Sequence, residues 1–284
     1  MTIRPFQSHE DHNLNSTVSP KIEVAVLLAT YNESGSIPGV INSIAASARE
    51  LSNDGIALRV LLFDDLSPDQ TAEVANDVAL ENRLVLEIHS GPREGLGRAY
   101  LRAFAEVRKR PEFDLIVTMD ADGQHDGRAI SMLVRRLLED DVDLLIGSRW
   151  TEGGRVPGLT PLRRILSRIG NFAFRIVTGV NSVRDASNSF RVSRRHVVLN
   201  FEPAGLSLDG YSIMTSYVAS AVVAGFRVTE HPITFHPRTQ GESKLQTRDV
   251  LEFARNLVNL RRKIRAMGKP NPVTPTSAED TRSL

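Results

Sequence analysis

At 284 residues, with 41% hydrophobic and 24% charged side chains, the chain has the balance of one large folded domain, not of a disordered polymer. Its formal net charge of +1 gives no global attraction to nucleic acid. The absence of cysteine excludes a disulfide framework, thiolate zinc sites and cysteine nucleophiles, and suits a reducing cytoplasm.

Residues 1–20 lack hydrophobic periodicity and read as a disordered arm, with Glu10 and Asp11 where a signal peptide needs its apolar core. Apolar runs rich in Val, Ile and Leu then occur at 22–29, 58–63, 84–88, 114–119 and 142–146. Between them lie stretches with helical spacing at about 36–51, 70–81, 97–109 and 128–140. Strands apolar on both faces and separated by helices predict parallel βαβ units, hence an α/β fold. Ligands in such sheets bind beyond the carboxyl ends of the strands. Further on, the spacing predicts a helix over 162–176, with Leu162, Ile165, Leu166, Ile169, Phe172, Ala173 and Ile176 on one face. Arg164, Arg168 and Arg175 form a stripe beside that face. The most apolar stretch, 214–226, is interrupted by Thr215, Ser216 and Ser220. It is too short for a span, which needs roughly 20 mostly apolar residues. A strand-like run at 228–235, a helix at about 249–265 and a disordered tail at 268–284 complete the chain, leaving 21–267 as one domain. This predicts a soluble or peripheral protein.

The polar residues with chemical potential sit just after the apolar runs. Asp120-Ala121-Asp122-Gly123-Gln124-His125-Asp126 follows the fourth. Two carboxylates at i and i+2 repel unless a cation or proton intervenes, and hard oxygen ligands with open positions suit Mg²⁺ or Mn²⁺ bridging to phosphates. Gln124 can add a neutral oxygen, and His125 can support the turn from behind. Alone, the segment also reads as an acidic turn with Asp126 capping the next helix. The other strand ends change that weighting. Asp64-Asp65-Leu66-Ser67-Pro68-Asp69 follows the second run, where Ser67 or Asp69 is expected to cap a helix. Thr30-Tyr31-Asn32-Glu33 follows the first, offering an aromatic to a base and a carboxylate to its N–H groups. No G-x-x-x-x-G-K-[ST] loop exists, and no G-x-G-x-x-G follows the first run, so phosphate falls to metal and cations. Arg149, Arg238 and Lys244 are those cations, each in a loop after a predicted strand. The histidine-proline pairs at 231 and 236 read as structural.

In order along the chain, these segments resemble the family 2 glycosyltransferases, within them the dolichol-phosphate (polyprenol-phosphate) mannosyltransferase branch. The resemblance is carried by Leu28-Ala29-Thr30-Tyr31-Asn32-Glu33, Phe63-Asp64-Asp65-Leu66-Ser67-Pro68-Asp69-Gln70-Thr71, Gly95-Leu96-Gly97, Asp120-Ala121-Asp122-Gly123-Gln124-His125, Gly147-Ser148-Arg149, Asp185 through Ser189-Phe190-Arg191, and Arg238 with Gly241-Glu242-Ser243-Lys244-Leu245. It implies a GT-A fold, with a mostly parallel central sheet flanked by helices. It also implies a nucleotide-diphosphate sugar donor and Mg²⁺ or Mn²⁺ on Asp122 and Gln124 with Asp120 nearby. Ala29, Tyr31, Glu33, Phe63, Asp65 and Ala121 would join these in the nucleotide-sugar site. Arg149, Arg238 and Lys244 would serve phosphates and, with Asp122, catalysis. The sequence departs from the family pattern at Ala29 (for proline), at Asn188 (for glycine) and through 209–216, which lacks a glutamate common in mannosyltransferases.

The expected reaction is inverting transfer of a hexose, mannose by default, to a polyprenyl or dolichyl phosphate by a cytoplasmic protein resting on the cytoplasmic membrane face. That phosphate is already anionic and needs no catalytic base, whereas a soluble hydroxyl acceptor, with a UDP-sugar as donor, would need one. Asp185 and Asp209 are the candidates for it. A catalytically silent nucleotide-binding module is the third reading.

Overall fold

The structure, a computed structural model, describes residues 22–203, 212–238 and 247–267. The predicted arm, the tail, Asp209 and Lys244 lie outside the described residues. Five strands and four helices alternate through the first half: β1 (Ile22–Thr30), α1 (Ile37–Ser52), β2 (Ile56–Asp64), α2 (Thr71–Glu81), β3 (Val85–Ser90), α3 (Leu96–Arg108), β4 (Leu115–Asp120), α4 (Ala129–Glu139) and β5 (Leu144–Ser148). The second half holds α5 (Pro161–Thr178), β6 (Arg191–Arg194), α6 (Arg195–Leu199), α7 (Ser212–Val223), β7 (Val228–Pro232) and α8 (Thr247–Met267).

One seven-stranded sheet runs β3-β2-β1-β4-β6-β5-β7. β1 pairs in parallel with β2 and β4, while β6 is antiparallel to both β4 and β5. The register makes Ala29 the partner of both Phe63 and Asp120. Successive residues point to opposite faces, and each face has its own core. Val24, Val26, Leu28, Val60, Leu62 and Val117 pack with α1, α2 and α4. Ala25, Leu27, Leu61, Phe63 and Ile116 pack with α3, α7 and α8. Burial on both faces explains why these strands read as continuous apolar runs.

Four elements differ from the sequence expectation. The strand expected at 142–146 is Leu144–Ser148, and Asp143 just before it accepts the Arg227 N–H at 2.8 Å. The strand expected over 228–235 ends at Pro232, which has no N–H for the ladder; beyond it only isolated bridges join Thr234 to Arg155 and Phe235 to His125. β6 and α7 carry no legible period. β6 is four residues long, and α7 is buried on nearly every side, from Ser212 through Ala219 and again at Ala221. Among the described residues, no helix is long and apolar enough to cross a membrane.

Candidate functional site

The carboxyl ends of β1, β2 and β4 come together, and short polar side chains fix their loops. Asp64 accepts Thr30 Oγ1 at 2.9 Å, Ser67 N at 2.8 Å and Ser67 Oγ at 2.6 Å. Ser67 Oγ and Thr71 Oγ1 in turn accept the N–H groups of Asn32 (3.1 Å) and Glu33 (2.9 Å), and Asp69 Oδ2 accepts that of Ser34 (3.0 Å). The β2 loop therefore holds the β1 loop in shape. Asp69 accepts Thr71 N at 3.2 Å from just ahead of α2, but the N-cap position itself is Gln70, and Ser67, the other expected cap, is committed to Asp64.

Asp65 is different in kind: it is buried and paired with Arg102 of α3. Tyr31 lies half-buried with the Arg93 guanidinium 3.9 Å over its ring, and Phe63 stacks on His89 at 4.7 Å. Neither Arg93 nor Arg102 stands out in the sequence. Each becomes visible only once the loop after β3 folds back over the strand ends. Ser36 Oγ lies 2.8 Å from Glu33 Oε2 and 2.9 Å from the Ala121 carbonyl, so its one proton is shared between the two acceptors. Burial raises the Glu33 carboxyl above the usual range, and the charge of Asp122 adds to it.

The Asp120–His125 turn is anchored from three sides. Gly123 has φ of 77°, a left-handed conformation that favours glycine, and Asp122 Oδ1 accepts Gln124 N at 3.1 Å. Behind the turn, His125 Nδ1 accepts Asp120 N at 3.2 Å. The opposite nitrogen then carries the proton and donates to Asn188 Oδ1 at 2.9 Å, while the Asn188 amide donates to the Gly147 carbonyl. Asn188 thus ties the acidic turn to the end of β5, which a glycine there could not do. From the side, the backbone of His236 exchanges hydrogen bonds with Gln124 at 2.9 and 3.2 Å.

At the open face, Arg238 Nε lies 2.9 Å from Asp122 Oδ2 and 3.1 Å from Gln124 Oε1, and Nη2 lies 2.8 Å from Asp122 Oδ2. Burial raises the Asp122 carboxyl, and the neighbouring charge of Asp120 adds to the rise. Asp120, Asp122 and Gln124 thus form an oxygen-rich site that draws positive charge, a donor set fitted to a hard divalent cation. No three histidine or acidic side chains gather at one point among the described residues. Such an ion would therefore complete its shell with oxygens from a ligand or water.

Beyond β5 the chemistry changes sign. Arg149 makes a bidentate pair with fully buried Asp185, Nε–Oδ2 and Nη2–Oδ1 both at 2.8 Å, and its backbone N–H adds a third bond to Asp185 at 2.9 Å. Asp185, a candidate base in the sequence, is a support for Arg149. Arg149 also lies 5.1 Å from the ring of Phe235, which packs against His125, so this arginine adjoins the acidic turn. A cleft of about 570 Å³ opens here, lined by Arg149, Arg155, Arg164, Arg168, Trp150 and Thr234 among others, with no carboxylate among the lining residues. Arg155, Arg164 and Arg168 are exposed. Arg191, from the Ser-Phe-Arg segment, is the largest fully buried side chain among the described residues; it donates to the carbonyls of Asn188, Met214 and Ala186, each at 2.7 Å, and burial lowers its pKa to about 10.

The described residues include every expected site residue except Lys244 and the alternative base Asp209. Ala29, Tyr31, Glu33, Phe63, Asp65 and the 120–124 turn share the strand ends, with Arg238 on the turn. Arg149 stands at the boundary with the cleft.

The sequence signature of Glycosyl transferase family 2 matches residues 25–200. The chain is 32% identical over 238 residues to a polyprenol monophosphomannose synthase of Mycolicibacterium smegmatis, covering 84% of this chain and 86% of that one. It is 31% identical to an undecaprenyl-phosphate mannosyltransferase of Micrococcus luteus, covering 79% and 88%. In three dimensions it superposes on glucosyl-3-phosphoglycerate synthase from Mycobacterium tuberculosis, solved with Mn²⁺, UDP and glucosyl-3-phosphoglycerate. The TM-score is 0.58 at 19% identity, covering 88% of this chain and 82% of that one, a likeness of fold.

Proposed function

The chain belongs to glycosyl transferase family 2, and from that premise we propose that it moves a hexose, mannose by default, from a nucleotide-diphosphate sugar to a polyprenyl phosphate, with inversion. The observation that carries the acceptor is the cleft beside the acidic turn, lined by four arginines and no carboxylate. A phosphate monoester is anionic at neutral pH, so it is held there by charge and needs no base. A hydroxyl acceptor would need one, and Asp185 is buried against Arg149. The 32% identity to a polyprenol monophosphomannose synthase supports both the sugar and the lipid.

In this reading Ala29, Tyr31, Glu33, Phe63 and Asp65 receive the nucleoside, with Arg102 holding Asp65 in place. Asp120, Asp122 and Gln124, around the Ala121 turn, hold Mg²⁺ or Mn²⁺, as the fold relative solved with Mn²⁺ and UDP supports. The ion, when bound, supplies Lewis-acid charge to the diphosphate. Arg238 and Lys244 neutralise the leaving diphosphate, and Arg149 orients the incoming phosphate. An acceptor phosphate oxygen forms a bond to the anomeric carbon as the bond from that carbon to the donor phosphate oxygen breaks. The electron pair leaves with the nucleoside diphosphate. Positioning and charge stabilisation are the whole of the catalysis required of the protein. On this reading the enzyme works as a peripheral protein at the cytoplasmic membrane face.

A panel of GDP- and UDP-sugars, read by protection against thermal unfolding with Mg²⁺ or Mn²⁺, tests the donor. GDP-mannose is expected to protect most. Turnover of a short, water-soluble polyprenyl phosphate tests the acceptor, and transfer to hydroxyl acceptors alone would overturn it.

A further inference from the structure

The apolar face of α5 points away from the body of the protein. Leu162, Ile165, Leu166, Ile169, Phe172 and Ile176 are 38–66% exposed, and they are half of the exposed large hydrophobics among the described residues. At about 100° per residue they span an arc of ~120°, centred ~170° from the buried side of the same helix. That buried side is Asn171, Phe174 and Thr178. The helix itself is well made: Thr160 caps its start, Pro161 occupies the first turn, and Gly179 ends it at φ of 80°. The outward face is therefore a fixed surface, not a frayed end.

Its margins are cationic. Arg164, Arg168 and Arg175 border the arc on one side and Arg163 stands on the other. From 153 to 184 the chain carries Arg155, Arg163, Arg164, Arg168, Arg175 and Arg184 without one Asp or Glu. A second copy seated on this face would set arginines against arginines. An anionic bilayer satisfies both features, taking the apolar side chains among the acyl chains and the guanidinium groups among the headgroups.

We infer that α5 is a membrane-docking element that lies in the plane of an anionic lipid surface. Arg164 and Arg168 also wall the cleft described above, so docking brings its mouth to headgroup level. A lipid phosphate can then enter while its chain stays in the bilayer. This last point rests on the lipid-acceptor reading; the docking rests on α5 alone.

The test is co-sedimentation of the full chain with vesicles of phosphatidylglycerol and phosphatidylcholine, against phosphatidylcholine alone. Trp150, the one tryptophan of the chain, serves as an internal fluorescence reporter. Binding is expected to the anionic vesicles and to weaken with salt. Ile165→Glu with Ile176→Glu is expected to weaken it at least about tenfold. Both side chains are exposed, so donor protection against unfolding and turnover of a water-soluble polyprenyl phosphate should stay at the parent level. No binding to anionic vesicles, or a double variant that binds as the parent does, overturns the inference. So does a dimer in sedimentation velocity that the double variant dissolves while vesicles are ignored. Vesicle binding that the double variant abolishes, with no turnover of any polyprenyl phosphate, supports docking and removes the acceptor reading alone.

Discussion

The two sides of the sheet's carboxyl end are built by different physics. At β1, β2 and β4, several loop N–H groups are met by side chains: Asn32 by Ser67, Glu33 by Thr71, Ser34 by Asp69, Gln124 by Asp122. Beyond β5 the surface is a stripe of arginines, an open cleft and an apolar helix face turned outward. A nucleotide with a metal-bound diphosphate is a rigid ligand with many polar atoms, and recognising it needs loops held to tenths of an ångström. An anionic headgroup on a mobile chain needs charge and an apolar bed, which tolerate imprecision. On the proposed reading, the difference between the halves is a difference between ligands.

That comparison is open to direct attack. Asp122→Ala should cut transfer by ~10³-fold, by loosening the divalent cation that Asp122 would hold against the diphosphate, and should leave vesicle binding intact. Transfer that survives the substitution, or excess EDTA, would remove the metal from the donor half. Arg149→Ala strands the buried Asp185 carboxylate and should cost about 3–5 kcal/mol in urea unfolding, besides its effect on turnover. A variant as stable as the parent would show that Arg149 belongs to the soft side of the boundary. Arg155→Ala with Arg168→Ala should raise the acceptor KM about tenfold, since each removes a charge-assisted contact, with the donor KM unchanged. Equal changes in both would merge the two halves.

The smallest effect concerns His231 on β7. Burial holds its imidazole below the usual 6.5, so the unfolded chain binds more protons between the two values. Stability contributed by the neutral ring is present above 6.5 and is lost as pH falls through the lower, folded value. His231→Asn should flatten that acid slope in melting experiments. Solvent exposure keeps the change small.

Strand ends were the legible part of the sequence. A doubly buried parallel strand must be an unbroken apolar run, and its ligand loop must begin where the run stops, so the loops carrying Tyr31, Asp65 and Asp122 could be located from spacing, while the choice of Asp65 and Asp122 within them came from the family resemblance. Arg102 and Arg93 could not, because their partners are fixed by how the loop after β3 folds back. The helix α7 was hidden for the opposite reason: burial on all sides erases the period by which a helix is seen.

By itself the sequence determined the alternation of strands and helices, the acidic turn and the existence of the α5 stripe, all of which are local consequences of residue order. Only the tertiary structure decided that Arg238 meets Asp122 across 116 positions, that Asp185 is spent on Arg149, and that the apolar side of α5 faces out. An amphipathic pattern states that a helix has two faces. Which of them meets the core depends on what the rest of the chain has already packed there, here through Asn171 and Phe174.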